Sequence, residues 1–263
     1  MIALKLGRVQ ESFLLNMGNI SIMDVRLSVI DHRLHGVKRV IAVASGKGGV
    51  GKSLLASSFA LSLSNKGYKV GLLDLDLYGP SSHIILGVND FSFPEEEKGI
   101  LPNEISGIKF MSIVYFSQDK PAPLRGNDIT NAIIELLAIT QWGNLDYIII
   151  DMPPGIGDET LDVIYLIKKS EFVVVTTPSK VALGAVDKLL NILKELKLPV
   201  LGVIENMKIN ESKLIFDYVK EKNFKFLGSV SFDPNLENAI GFPNKLLNTS
   251  FMKDFDKVVE KII

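Results

Sequence analysis

Residues 45–53 read Ser-Gly-Lys-Gly-Gly-Val-Gly-Lys-Ser. Inside this stretch lies the spacing G-x-x-x-x-G-K-[ST], running from Gly46 to Gly51, Lys52 and Ser53. Glycines let the backbone curl until successive N–H groups point inward at a phosphate, and the helix that follows presents its positive end. Lys52 then reaches the β/γ-phosphates as a point charge, while the Ser53 hydroxyl ligates Mg²⁺. Gly46, Lys47, Gly48, Gly49, Val50, Gly51, Lys52 and Ser53 are therefore the expected nucleotide cradle. Its flanks fit. Val40-Ile-Ala-Val-Ala44 is a short apolar run of the kind a buried parallel strand shows. Leu54, Leu55, Ala56, Phe59, Ala60, Leu61 and Leu63 fall at helical spacing, and Lys66-Gly67 supplies a stop. A glycine-rich surface turn would need neither flank. Lys47 is not required by the general pattern and marks a subclass.

Outward from the loop, apolar runs alternate with helical patterns. Strands are expected at Val70-Gly-Leu-Leu73, Ile108–Ile113, Tyr147–Ile150, Phe172–Thr176, Val200–Ile204 and Phe226–Val230. Helices are expected near 129–140, 158–168, 182–196, 212–222 and 250–262. Strands separated by helices predict an α/β fold: one P-loop domain over residues 38–263, with a mostly parallel, doubly wound sheet and helices on both faces. Residues 1–37 read as an arm or helix packed against that domain or a partner. Residues 89–107 read as a polar excursion from the sheet, with Glu95, Glu96 and Glu97 on a solvated face. Near the C-terminus Phe251, Phe255, Val258, Val259 and Ile262 make one apolar face. Lys253, Lys257 and Lys261 are balanced there by Asp254, Asp256 and Glu260, which favours packing on the sheet over lying on a membrane.

The chain has 263 residues, 47% hydrophobic and 22% charged, enough for a substantial core, and a formal net charge of −1. That balance gives no basic field for nucleic acid or anionic lipid, so neither partner is expected. No apolar run approaches the roughly 18 residues of a membrane span, and no signal-peptide core is visible, so a cytoplasmic protein is expected. Cysteine is absent. Disulfides, thiolate-held zinc and a conventional iron–sulfur cluster on this chain alone are thereby excluded. His32 and His35 read as solvated histidines of a helix, since no acidic cluster joins them.

A phosphate loop needs acids to manage Mg²⁺ and water, placed at the carboxyl ends of neighbouring strands. Leu72-Leu-Asp74-Leu-Asp76 and Ile148-Ile-Ile-Asp151 supply them. If the chain were still extended at 74–76, both of the first pair would point to one side. After Asp151 comes Met-Pro-Pro-Gly-Ile-Gly-Asp158. Its prolines stiffen the exit, and Gly155 and Gly157 allow close backbone approach to a γ-phosphate, so the segment is a candidate switch.

Gly46–Ser53 resembles the deviant Walker A motif of the MinD/ParA/nitrogenase-iron-protein superfamily. Leu73-Asp-Leu-Asp-Leu-Tyr-Gly-Pro-Ser81, Asp151–Asp158, Thr176-Thr-Pro178 with Val181-Ala-Leu183, and Gly202-Val-Ile-Glu-Asn-Met207 resemble, in order, the Mrp/ApbC-type iron–sulfur cluster carrier ATPases. Leu124-Arg-Gly126 and Trp142-Gly143 fit the same pattern. The resemblance is dense over 38–207. It implies Mg-ATP hydrolysis by a homodimer that sandwiches its nucleotides, and a partner or client in iron–sulfur protein assembly. It also implies roles. Lys47 reaches across to the partner's ATP, Asp76 orients the attacking water near the metal, Asp151 helps hold Mg²⁺, and Asn206 reads adenine.

Three positions depart from the family pattern. Leu54 and Ile156 stand where it usually has threonine, and no C-x-x-C follows the Glu-Asn-Met segment: residues 208–225 contain no cysteine. A nucleotide-switched positioning ATPase of the MinD/ParA kind is the alternative. Tyr78-Gly-Pro-Ser81, Pro153-Pro154 and the lack of a basic lipid-binding tail weigh against it.

Overall fold

The computed structural model of the protein describes residues 25–118, 126–211 and 213–263. Leu124 and Arg125 of the sequence pattern, and residues 1–24 of the expected arm, lie outside them. The described chain opens with helix α1 (Val25–Leu34), strand β1 (Val37–Ser45), helix α2 (Lys52–Asn65), strand β2 (Val70–Asp74) and the short helix α3 (Ser82–Leu86). Strands β3 (Asn103–Ile105) and β4 (Ile108–Ser112), helices α4 (Val114–Ser117) and α5 (Asn127–Ile139), and strand β5 (Leu145–Asp151) follow. Next come α6 (Asp158–Leu166), β6 (Ser170–Thr176), α7 (Lys180–Glu195), β7 (Val200–Lys208), α8 (Leu214–Glu221) and β8 (Phe226–Ser231). A 3₁₀ turn (Leu236–Ala239), α9 (Pro243–Leu246) and α10 (Ser250–Val259) complete it.

One eight-stranded sheet runs in the order β3-β4-β2-β5-β1-β6-β7-β8. Every neighbouring pair is parallel except β3 with β4. Crossover helices bury both faces of the central strands, which is why β1, β5 and β6 read as unbroken apolar runs rather than alternating ones. Strand order reverses around β1, so the loop leaving it opens into a crevice at the carboxyl ends of the strands. Register sets what faces that crevice: Asp74 on β2 lies beside Asp151 on β5, and Val43 on β1 lies beside Asp151 from the other side.

Residues 103–105 belong to the sheet as its antiparallel edge strand, which corrects their reading as part of a polar excursion. Glu95, Glu96 and Glu97 are exposed. Helix α1 packs on α5, where Arg26 pairs with Glu135 at 3.4 Å, and Arg33 donates to the Ala138 carbonyl at 2.9 Å. It ends at Leu34, so His35 lies just past it; His32 and His35 are both exposed. The apolar face of α10 is buried against β8 and α2, with Phe255 edge-on to Phe59 at 6.0 Å between ring centres. Among the described residues no helix is long and apolar enough to cross a membrane.

Candidate nucleotide site

The glycine loop spans the gap between β1 and α2, and two of its glycines are dictated by packing. A side chain at Gly46 would put Cβ 2.4 Å from the backbone of Ala185 in α7. Gly51 has φ +81°, a left-handed conformation that a side chain resists, and a Cβ there would meet the Asn206 amide nitrogen at 2.3 Å. Asn206 is buried at the end of β7 and donates from Nδ2 to the Val50 carbonyl at 2.9 Å. The residue expected to read the base is thus tied to the phosphate loop itself.

Lys52, in the first turn of α2, is buried among carboxylates. Its Nζ lies 2.5 Å from Asp151 Oδ1 and 3.7 Å from Asp76 Oδ2, and it donates to the Ser53 hydroxyl at 3.4 Å. Asp151 is fully buried, and so is Asp74. The chain is not extended from Asp74 to Asp76, so the condition for a same-side pair is not met. The strand ends at residue 74, and the Asp74 carboxylate accepts the Asp76 N–H at 3.0 Å, turning the chain out of the extended form. Burial, reinforced by the neighbouring Asp151 charge, pushes the Asp74 carboxyl well above the usual range, against the opposing pull of Lys52. Asp76 in turn accepts the Gly79 N–H at 3.1 Å, which shapes the loop that follows β2.

The segment after β5 folds back over the glycine loop. Gly155, at φ +82°, donates its N–H to the Ser45 carbonyl at 3.1 Å, so in this structure that donor faces the loop backbone. Ser45 Oγ donates to the Lys47 carbonyl at 2.9 Å. Lys47 is half-buried, and its amine makes no hydrogen bond or ion pair among the described residues. Leu54 and Ile156, the two positions without the usual threonine, are partly buried and packed on the core. Lys47, Lys52, Ser53, Asp76, Asp151, Gly155 and Asn206 therefore gather at one rim of the sheet. Sequence reasoning missed Ser82, whose hydroxyl donates to Asp151 Oδ2 at 3.1 Å. It lies one residue beyond the Gly-Pro-Ser signature, and nothing local announces a partner 69 residues away.

A glycine loop between strand and helix, with its lysine held by acids from the carboxyl ends of adjacent strands, defines a P-loop NTPase. A model of the ParA group described as the NUBPL iron-transfer P-loop NTPase matches residues 36–263. The chain belongs to that family. It is 42% identical over 219 residues to the iron-sulfur cluster carrier protein of Aquifex aeolicus, covering 78% of this chain and 60% of that protein. The chain thus spans about three fifths of that relative's length. Among solved structures it resembles a nucleotide-binding protein of Archaeoglobus fulgidus in complex with ADP, with TM-score 0.69 and 30% identity, over 89% of this chain and 93% of that one. The septum site-determining protein MinD of Pyrococcus horikoshii, complexed with Mg-ADP, shares the fold: TM-score 0.66 and 21% identity over 85% of this chain and 95% of that one.

Proposed function

We propose that this chain is a Mg²⁺-dependent ATPase of the cytoplasm, working as a homodimer across its nucleotides in iron–sulfur protein assembly. The observation that carries the reading is the buried Lys52, held at 2.5 Å by Asp151 and 3.7 Å from Asp76 where a phosphate would otherwise meet it. A cation this buried is kept for a partner of higher charge, because carboxylates alone repay little of its desolvation. The donor set also suits the metal: one hydroxyl and two carboxylates are hard oxygen ligands, and Ser53, Asp76 and Asp151 would hold Mg²⁺, Asp151 through water. Bound there, the ion neutralises charge developing on the phosphates.

The chain's own groups supply the rest. Lys52 exchanges Asp151 for phosphate oxygens, and the Gly155 N–H leaves the Ser45 carbonyl to meet the γ-phosphate. Asp76 orients the attacking water. Asn206 releases the Val50 carbonyl to pair with adenine. Lys47 acts on the second copy's nucleotide, as an arginine finger does in other phosphoryl-transfer enzymes. Its unpaired amine supports that role. So do exposed apolar side chains on the segments after the same strand ends: Val181, Ile209 and Tyr78, which follow the carboxyl ends of β6, β7 and β2, are 77%, 74% and 63% exposed. With no cysteine in the chain, iron–sulfur cargo is met through thiolates of a partner or client rather than through this chain's own.

Asp76→Asn tests this. With ATP and Mg²⁺ the variant should accumulate as a nucleotide-bound dimer on size-exclusion chromatography and capture iron–sulfur assembly proteins. A species that stays monomeric with ATP counts against the dimer, and capture of division or partition proteins favours a positioning ATPase.

A further inference from the structure

Asp151 has two carboxylate oxygens, and the proposed chemistry gives a role to only one of the bonds they make. Oδ1 meets Lys52, while Oδ2 accepts the hydroxyl of Ser82 at 3.1 Å. The backbone N–H of the same serine donates to Asp74 Oδ2 at 3.3 Å, and the other oxygen of Asp74 accepts the Asp76 N–H. Ser82 and Asp74 are both fully buried, so water does not substitute for either bond. The loop of residues 75–81, which carries Asp76, is therefore fastened at both ends to Asp74, to the Asp151 carbonyl through the Leu75 N–H at 2.9 Å, and to the Asp151 carboxylate through the hydroxyl of Ser82.

We propose that Ser82 is a positioning residue for Mg²⁺: it fixes the rotation of the Asp151 carboxylate and ties the Asp76 loop to it. The terminal torsion of an aspartate is broad, so one anchor leaves the plane of its oxygens undefined. While Lys52 pairs with Oδ1, two anchors hold Asp151. When Lys52 turns to a phosphate, Ser82 is the remaining side-chain anchor on that carboxylate, and Oδ1 is freed with its direction fixed, available to help hold Mg²⁺. Removing the hydroxyl deprives Oδ2 of its donor beside a second buried carboxylate, and it cuts the bond between the Asp76 loop and the Asp151 carboxylate, leaving the loop joined to Asp151 only by the Leu75 N–H on its backbone carbonyl at 2.9 Å. The inference rests on the Mg-ATPase reading of the site.

The test follows binding of a fluorescent ATP analogue as Mg²⁺ is titrated, with thermal melting to verify folding. Ser82→Ala should raise the half-saturating Mg²⁺ concentration about tenfold, as loss of an outer-shell partner does, and leave Mg-free nucleotide binding within about twofold. Ser82→Thr, which keeps the hydroxyl, should restore the wild-type midpoint. Should Ser82→Ala not fold, Ser82→Cys, of similar volume but a weak donor, is expected to show the same shift. An unchanged Mg²⁺ midpoint in a folded Ser82→Ala or Ser82→Cys overturns the proposal. So does a Ser82→Thr variant as impaired as Ser82→Ala, since packing and not the hydroxyl would then matter. A wild-type chain whose nucleotide binding ignores Mg²⁺ overturns the ATPase reading itself, and Ser82's role with it.

Discussion

Two regions of the molecule are built in opposite ways. At the ends of β2 and β5, Lys52, Asp74, Asp151 and Ser82 are buried and bonded to one another. Past the end of β7 and along α8, charged groups reach solvent, while Glu205 within β7 stays buried. Lys208 stands 3.7 Å from a fully exposed Glu211, and Asp187 of α7 pairs with Lys222 at 2.9 Å on a half-exposed surface. Ile209 between them is exposed. The contrast separates the two halves of the proposed function. A phosphate site needs charges whose positions are set by strand register and whose strength is preserved from water. The segment where the family pattern has cysteines buries Ile215 and Val219 but otherwise carries lysines and apolar side chains such as Ile209 and Phe216 on the surface, where substitution costs the fold little. On that proposal, the nucleotide side is constrained by the core and the cargo side is freer to change.

The contrast breaks first at Lys52. Lys52→Ala leaves Asp151 buried without its cation beside Asp74, and we expect a loss of about 3 kcal/mol in unfolding free energy, the lower end for breaking a buried pair. Nucleotide affinity should fall about 100-fold, the loss of one charge-assisted contact. Urea unfolding at pH 7 and nucleotide titration read the two effects separately. A variant as stable as the wild type would mean that Asp151 takes up a proton or water reaches it, and the buried half of the comparison would fail.

Lys47→Ala should act on rate alone. Its amine holds nothing within the described residues, so folding and nucleotide binding should remain near wild type. Hydrolysis should fall about 10³-fold if the lysine stabilises the transition state in trans. Steady-state phosphate release over a range of protein concentrations checks this. An undiminished rate removes Lys47 from the reaction.

The sequence was most legible where structure is local. The glycine loop carries its conformation in its own residue types, and the three acids announce themselves by closing apolar runs. Long-range contacts within the same site were not legible. The Asn206–Val50 and Ser82–Asp151 bonds join residues 156 and 69 positions apart, and only the folded register brings them together. Whether the chain stays extended from Asp74 to Asp76 was left open, because the Asx turn that ends β2 leaves no hydrophobic pattern. Strand β3 escaped because three half-exposed residues on a sheet edge have too short a period to read.

The smallest expected effect lies on the exposed side. The Tyr218 hydroxyl of α8 donates to Asp187 of α7, which Lys222 also contacts. Tyr218 foremost, and Lys222 with it, hold the Asp187 carboxyl below its usual range, while burial and that aspartate push the tyrosine up. Because Asp187 is depressed in the folded state, its contribution is present above the unfolded carboxylate range and is lost as pH falls through the folded value. Tyr218→Phe should therefore cost about 0.5 kcal/mol at pH 7, within the range of exposed pairs, and the gap to wild type should close at a pH well below the usual carboxylate range. Melting temperatures at the two pH values decide it. A loss of several kcal/mol at pH 7 would show that α8 is held as tightly as the nucleotide rim, and the proposed freedom of the cargo side would have to be given up.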